Sequence, residues 1–188
     1  MIIIFEGVDK AGKTTLAKKI SKEYNIKYFK SSHEIFSGID LEESIKYDWL
    51  FMLDFLKQTD FNVIFDRSFI SQFVYSLHYR YKNIEKHYNK LSDYFNVFAK
   101  YINILCSIPH IVIYCNRENY VGVKDEKILL NSRVINSLKN EYNSFFEIFT
   151  FNEFEYKLDL VKCKFEDGVN FNLNKIKKTL KHYIRRSN

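Results

Sequence analysis

The feature that most constrains this chain is a glycine-containing stretch near its start, Gly7-Val8-Asp9-Lys10-Ala11-Gly12-Lys13-Thr14, which satisfies the pattern G-x-x-x-x-G-K-[ST]. It follows a short apolar run at residues 2–5 and precedes a segment whose apolar residues have helical spacing. That context matters, because a loop between a strand and a helix points successive backbone N–H groups into one concavity. The sequence therefore predicts a loop that binds the phosphates of a nucleoside triphosphate.

Each part of this loop has a physical role in holding phosphate. Gly7 and Gly12 allow backbone conformations closed to other residues, and the helix N-terminus adds partial positive charge. Lys13 is expected to bridge the β- and γ-phosphates, and the Thr14 hydroxyl is expected to ligate Mg²⁺. The residues expected to contact the phosphates of ATP are Gly7, Val8, Asp9, Lys10, Ala11, Gly12, Lys13, Thr14 and Thr15.

A second polar pair, Asp66-Arg67, comes at the end of an apolar run at residues 62–65. In an open parallel sheet, the carboxyl end of a strand faces the same crevice as the phosphate loop. Asp66 is therefore expected to hold a water ligand of Mg²⁺, and Arg67 to clamp a phosphate and stabilise charge in the transition state. The same pair is compatible with a local salt bridge, but its expected position beside the loop favours a catalytic role.

The rest of the chain alternates short apolar runs with longer helical patterns, as a parallel sheet covered on both faces requires. Strands are predicted at residues 2–5, 26–29, 62–65, 110–115 and 156–163, and helices at 13–24, 41–58, 70–81, 84–107, 126–149 and 172–185. These elements predict one α/β domain over residues 1–188, a P-loop three-layer sandwich with a five-stranded parallel sheet flanked by helices. The irregular segment near residues 116–127 is the candidate for a mobile lid.

The formal net charge of +6 suits a polyanionic ligand, which includes both nucleotides and nucleic acid. The basic segment at residues 174–186 is the best support for nucleic acid, but Ile176, Leu180 and Ile184 have helical spacing there. That spacing predicts an amphipathic helix packed on the sheet with a solvated basic face. Small-molecule nucleotides are therefore favoured as partners.

Three cysteines, Cys106, Cys115 and Cys163, are widely spaced and include no C-x-x-C pair, which favours buried thiols over a disulfide or zinc site. The apolar run at residues 2–5 is too short for a signal sequence, and no run reaches the roughly 20 residues of a membrane span. The expectation is a cytoplasmic protein with no membrane partner.

The two motifs together resemble the thymidylate kinase family. FEGVDKAGKTT at residues 5–15 matches F-E-G-x-D-x-x-G-K-[ST]-T, and DRSFISQFVY at residues 66–75 matches D-R-[YS]-x-x-S-x-x-A-Y except at Val74. Weaker similarity at residues 49–55 and 109–117 extends the resemblance to about residue 149. It implies transfer of the ATP γ-phosphate to a deoxynucleoside monophosphate, dTMP or a related pyrimidine nucleotide, and it suggests a homodimer.

The resemblance also implies roles for individual residues. Asp9 would contact the sugar or phosphate of the acceptor, Arg67 would bind the acceptor phosphate, and Lys10 stands where some members have a loop arginine. Phe51 would stack on the acceptor base, although core packing in a helix explains it equally well. The remaining candidates are Ser71 and Tyr75 in the acceptor pocket and Arg117, Lys124 and Arg133 near the lid. Glu6 belongs to the matched motif, and its role stays open between orienting the loop and orienting the acceptor.

Two departures from the family pattern leave alternatives open. Residues 30–34 read KSSHE where many members have R-E-P-G-G, and the arginine of L-F-x-x-x-R is absent. A deoxynucleoside kinase with Glu34 as general base is one alternative, since Asp66-Arg67-Ser68 resembles the acidic-Arg-Ser triplet of that family. Glu34 is also compatible with a solvated acid at a helix start. A non-catalytic nucleotide switch or nucleic-acid-binding module is the other alternative.

Overall fold

The protein alternates strands with helices along its length. The structure is a computed structural model that describes residues 1–30, 51–59, 61–75, 77–78, 91–118, 120, 132–150, 158–166, 170–171 and 176–182. Its strands are β1 (Ile2–Glu6), β2 (Lys27–Lys30), β3 (Val63–Asp66), β4 (His110–Arg117), β5 (Leu160–Glu166) and β6 (Asn170–Phe171). Its helices are α1 (Lys13–Tyr24), α2 (Phe51–Lys57), α3 (residues 69–75 and 77–78), α4 (Leu91–Cys106), α5 (Ser132–Thr150) and α6 (residues 176–182).

One sheet contains all six strands, in the order β2-β3-β1-β4-β5-β6. The first five strands of that order run parallel, with Ile2 of β1 opposite Val63 of β3 and opposite His110 of β4. β6 pairs antiparallel with β5. The predicted five-stranded parallel sheet is therefore confirmed. β6 adds a short edge strand, which the pattern of apolar runs did not predict.

The sheet is the middle layer of three, because successive side chains of a strand point to opposite faces. On one face Ile2 and Ile4 pack in a hydrophobic cluster with buried residues of α2, α3, α4 and α5. On the other face Ile3 and Phe5 pack with buried residues of α1 and α6. β1 is thus buried on both faces, and the loop that follows it begins at the end of a central strand.

Several predicted boundaries need correction. α1 matches its prediction at both ends, but β5 begins at Leu160 rather than at residue 156, and Leu158 and Asp159 precede it. β4 continues to Arg117 because its last two residues pair with β5, so residues 116 and 117 belong to a strand and not to a lid. Residue 119 and residues 121–127 of the predicted lid lie outside the described residues. None of the described helices has both the length and the apolar character needed to cross a bilayer.

Candidate active site

The loop between β1 and α1 adopts the conformations that its glycines were predicted to allow. Gly7 has φ 136° and Gly12 has φ 83°, and the exposed Lys10 also lies in the left-handed region with φ 61°. A Cβ atom on Gly7 would lie 2.2 Å from the carbonyl oxygen of Cys115 in β4. Glycine is required at position 7 for two reasons, since both the backbone conformation and the contact with β4 exclude a side chain.

Lys13 lies inside this loop. Its Nζ donates a hydrogen bond of 2.7 Å to the carbonyl of Val8, and its side chain is buried. Burial, followed by the charge of Arg67, lowers the pKa of Lys13 to about 7, although Asp9 and Asp66 act in the opposite direction. The charged form of a buried lysine is stabilised by bound phosphates, because their negative charge replaces the stabilisation that water would give.

A pair of side chains suited to Mg²⁺ lies at the start of α1 and the end of β3. The Thr14 hydroxyl donates to Oδ2 of Asp66, and the hydroxyl of Tyr28 in β2 donates to the same oxygen at 2.9 Å. Thr14 gives its proton to Asp66, so its oxygen lone pairs stay available to a metal. Among the described residues no group of three or more His, Cys, Asp or Glu side chains could hold a metal alone. The pair fits Mg²⁺, which takes most of its ligands from water and phosphate.

Arg67 is the centre of a second cluster, which joins four of the predicted site residues. Its Nη2 donates to Oδ1 of Asp9 and, at 3.3 Å, to the hydroxyl of Tyr75, and its Nη1 donates to Oγ of Ser71 at 3.1 Å. Tyr75 in turn donates to Oδ2 of Asp9 at 2.9 Å. The backbone of Arg67 has φ 77° and donates its N–H to Phe5 in β1 at 2.9 Å. The turn after β3 is thereby fixed beside the phosphate loop.

The charges of this cluster compensate one another. Burial is the largest single influence and raises the pKa of Asp9, but the charges of Arg67 and Lys13 and the hydrogen bonds from Tyr75 and Arg67 together outweigh it and hold that pKa below its ordinary value. Burial lowers the pKa of Arg67, but neighbouring oxygens, among them those of Asp9, raise it by more. The pKa therefore lies above its ordinary value, and the guanidinium stays charged. With the described residues, Arg67 uses both protons of Nη2 and one of Nη1. The Nε proton and the second Nη1 proton have no partner among the described residues and can bind an anion.

Glu6 provides the part of the site whose role was left open. The side chain is fully buried at the end of β1, and its Oε1 accepts hydrogen bonds from the backbone N–H and the hydroxyl of Ser68, at 2.7 and 2.5 Å. Its Oε2 accepts from the hydroxyls of Ser71 and of Tyr142 in α5, the latter at 3.3 Å. Burial raises the pKa of Glu6, and the hydrogen bonds from Ser68 and Ser71 oppose the rise. Ser71, placed in the acceptor pocket by the sequence, is itself fully buried beneath Arg67.

The other predicted residues are less closely connected to this cluster. Arg117 donates from Nη1 to the carbonyl of Lys10 at 3.4 Å, and its guanidinium lies 5.7 Å from the ring centre of Tyr120. Thr15 is exposed on the first turn of α1, and Arg133 is exposed on the first turn of α5. Phe51 begins α2, but its side chain is not among those that the structure describes. Lys124 and Glu34 lie outside the described residues altogether.

The resemblance to thymidylate kinases is confirmed by a relative that carries that name. A protein of Acidianus bottle-shaped virus (isolate Italy/Pozzuoli), named "putative thymidylate kinase", is 36% identical over 80 residues, which is 43% of this chain. The match spans 50% of the length of that relative. No protein-family model matches the sequence.

Solved structures share the fold over nearly the whole chain. The YorR protein of Bacillus subtilis, solved with phosphorylated GDP, has a TM-score of 0.64 at 21% identity and covers 98% of this chain and 96% of its own. Deoxyadenosine kinase from M. mycoides with bound dCTP has a TM-score of 0.56 at 20% identity, with 97% and 100% covered. Thymidylate kinase from Ehrlichia chaffeensis has a TM-score of 0.54 at 15% identity, with 96% and 98% covered. These likenesses confirm the predicted P-loop α/β sandwich.

Proposed function

We propose that this chain is a kinase that transfers the γ-phosphate of ATP to the 5′-phosphate of a deoxynucleoside monophosphate, dTMP or a related pyrimidine nucleotide. One observation carries the proposal: the buried, charged Arg67 is bonded to Asp9, a residue of the phosphate loop itself. A second phosphate-binding cation therefore stands next to the first phosphate site. Transfer between two phosphates requires that arrangement.

The residues divide the work between donor and acceptor. The backbone N–H groups of the loop and the ammonium of Lys13 hold the β- and γ-phosphates of ATP, and the two remaining N–H groups of Arg67 hold the acceptor phosphate. Lys10, exposed on the loop, offsets the charge that develops during transfer. Mg²⁺, held by Thr14 and through water by Asp66, would supply the neutralisation of phosphate charge that this chemistry needs. Asp9 keeps Arg67 oriented and bounds the acceptor site.

A deoxynucleoside kinase is the second candidate, and the ion pair between Arg67 and Asp9 is the observation that favours it. An acceptor without a phosphate would leave the charge of Arg67 neutralised by Asp9 alone, whereas the phosphate of a monophosphate would add a second anion beside the same guanidinium. Deoxyadenosine kinase from M. mycoides has the same fold. In this candidate Glu34 would be the general base that activates the sugar hydroxyl.

The test is an ADP-release assay with ATP and Mg²⁺ against a panel of deoxynucleoside monophosphates and the matching nucleosides. Turnover on a monophosphate is the expected result, and turnover on nucleosides alone would replace the first candidate by the second. Lys13→Ala is expected to reduce turnover by orders of magnitude with the fold intact. Lys19→Ala is the matched control, because Lys19 is exposed on the same helix away from the loop. Near-normal activity of Lys13→Ala would reject the kinase assignment.

The two candidates also differ in what Arg67→Lys should do. A lysine cannot reproduce the forked hydrogen bonds of a guanidinium, so this substitution is expected to raise KM for a monophosphate acceptor by tenfold or more, as a rough figure. The KM for ATP should change much less, since Lys13 and the loop hold that nucleotide. An unchanged KM for the acceptor would show that Arg67 does not bind the acceptor phosphate.

A further inference from the structure

Ser71 connects the buried carboxylate of Glu6 to the guanidinium of Arg67. A serine hydroxyl has one proton to donate and two lone pairs to accept with. Its proton goes to Oε2 of Glu6, and one lone pair accepts the Nη1 proton of Arg67 at 3.1 Å. The hydroxyl of Tyr142 lies 2.8 Å from the same Ser71 oxygen. Since the Ser71 proton is already used, the single proton of Tyr142 is directed to the Ser71 oxygen at 2.8 Å and is shared with Oε2 of Glu6 at 3.3 Å, and the hydrogen-bonding capacity of Ser71 is complete.

This accounting leaves one direction for the Ser71 hydroxyl. All four hydrogen bonds at Glu6 are donated to its oxygens, as to an ionised carboxylate, so Glu6 accepts the Ser71 proton and a lone pair of Ser71 faces Arg67. Glu6 also accepts two bonds from Ser68, the residue directly after Arg67. Glu6 therefore fixes both the backbone next to Arg67 and the hydroxyl of Ser71, which lies one helical turn later and accepts a bond from Arg67. Tyr142 completes the network from α5 through its contacts with Ser71 and Glu6.

We propose that Glu6 and Tyr142 are positioning residues, which orient the Ser71 hydroxyl so that Arg67 is held ready for the acceptor phosphate. The inference rests on the proposed function to the extent that Arg67 binds that phosphate. It assigns a role to the motif residue Glu6, and it makes α5 part of the acceptor site without any contact with the acceptor. Tyr142 is separated from Glu6 by more than half of the chain and joins it through the fold alone.

The first experiment observes Arg67 directly and needs no substrate. In ¹⁵N-labelled protein, the Nη signals of Arg67, assigned by their loss in Arg67→Lys, are expected to be separate because hydrogen bonds restrict rotation of the guanidinium. Tyr142→Phe is expected to merge or broaden them. Tyr114→Phe is the matched control, since that ring lies 5.5 Å from the ring of Tyr142 and its buried hydroxyl has no hydrogen-bond partner among the described residues. Separate signals in Tyr142→Phe would overturn the inference.

The second experiment measures steady-state kinetics on the acceptor identified by the ADP-release panel. Tyr142→Phe is expected to raise KM for the acceptor by roughly three- to tenfold and to leave KM for ATP within about twofold, as expected for loss of one hydrogen bond in a buried network. Tyr114→Phe should change neither constant. An equal rise in both KM values would overturn the inference, because it would indicate a merely structural role.

Failure of the inference and failure of the proposed function are distinguishable. If the wild-type protein phosphorylates no monophosphate, the proposed function is wrong, and the Arg67 signals still decide whether Tyr142 positions Arg67. If Tyr142→Phe does not fold, Ser71→Ala takes its place, because it removes the acceptor of the Arg67 Nη1 bond without adding volume. Merged Arg67 signals in Ser71→Ala support the inference, and separate signals overturn it.

Discussion

Protonation of Lys13 gives the sharpest test of the phosphate loop. Burial and the charge of Arg67 lower the pKa of Lys13 to about 7. At pH 8 only about one tenth of the nucleotide-free protein then carries a proton at this site. Bound phosphates favour the charged form, so binding of Mg·ADP at pH 8 is expected to take up about 0.9 proton.

Titration calorimetry in buffers of different ionisation enthalpy measures that number, because the slope of the observed enthalpy against ionisation enthalpy is the number of protons taken up. The affinity for Mg·ADP should fall by up to about tenfold per pH unit above pH 7, until the pKa of Lys13 in the complex is reached. Lys13→Arg is the control. An arginine stays protonated at these pH values, so this variant keeps the charge and should show almost no uptake.

The same shift has a consequence for the free energy of unfolding. Lys13 has a pKa of about 7 in the folded protein and an ordinary value of 10.5 when unfolded. Between these values the unfolded chain binds more protons than the folded protein, so the free energy of unfolding of the nucleotide-free protein should rise with pH from about 7 towards 10.5, relative to Lys13→Arg.

In the calorimetry, uptake of less than about 0.2 proton on binding of Mg·ADP at pH 8, or equal uptake in Lys13→Arg, would refute the assigned role of Lys13.

Three further substitutions test the loop and its metal pair. Gly7→Ala should lower the free energy of unfolding by about 2–4 kcal/mol, because its Cβ would lie 2.2 Å from the backbone oxygen of Cys115; a loss below about 0.5 kcal/mol in urea denaturation would contradict this. Lys10→Gly should be more stable than Lys10→Ala by roughly 0.5–1 kcal/mol, because both remove the charge but only glycine relieves φ 61°; equal urea midpoints would argue against strain. Tyr28→Phe should weaken Mg·ADP binding about threefold by removing a bond to Asp66, and calorimetry with EDTA should show unchanged Mg²⁺-free binding; an equal loss in both conditions would exclude a role towards the metal.

Local patterns and one topological rule were enough to predict that the loop after β1 and the turn after β3 lie side by side. The loop motif carries its own conformational requirements, and parallel strands place their carboxyl ends at one edge of the sheet. Asp9 and Arg67 were named from two separate stretches and Tyr75 from the family resemblance, and the structure brings all three into one hydrogen-bonded cluster. Strand boundaries were less predictable, since the ends of β4 and β5 depend on their pairing with each other.

The parts that the sequence did not predict depend on contacts between distant residues. Tyr142 lies in the apolar stripe of α5, and periodicity cannot distinguish a tyrosine that packs its ring from one whose hydroxyl completes a polar network. Tyr28 lies in the sheet beside β3, and its bond to Asp66 follows from the register of the two strands. One signal was available: Glu6 ends an otherwise apolar strand, and a buried carboxylate requires several donors from elsewhere in the chain.

The bonds that hold Arg67 determine when its side-chain entropy is lost. A free arginine side chain samples many rotamers, and fixing it costs on the order of 2 kcal/mol. Here Asp9, Ser71 and Tyr75 fix the guanidinium as the chain folds. A phosphate that binds Arg67 as proposed would therefore meet an arginine that has little rotamer freedom left to lose, and the entropic penalty would appear in the stability of the protein rather than in its affinity for the ligand.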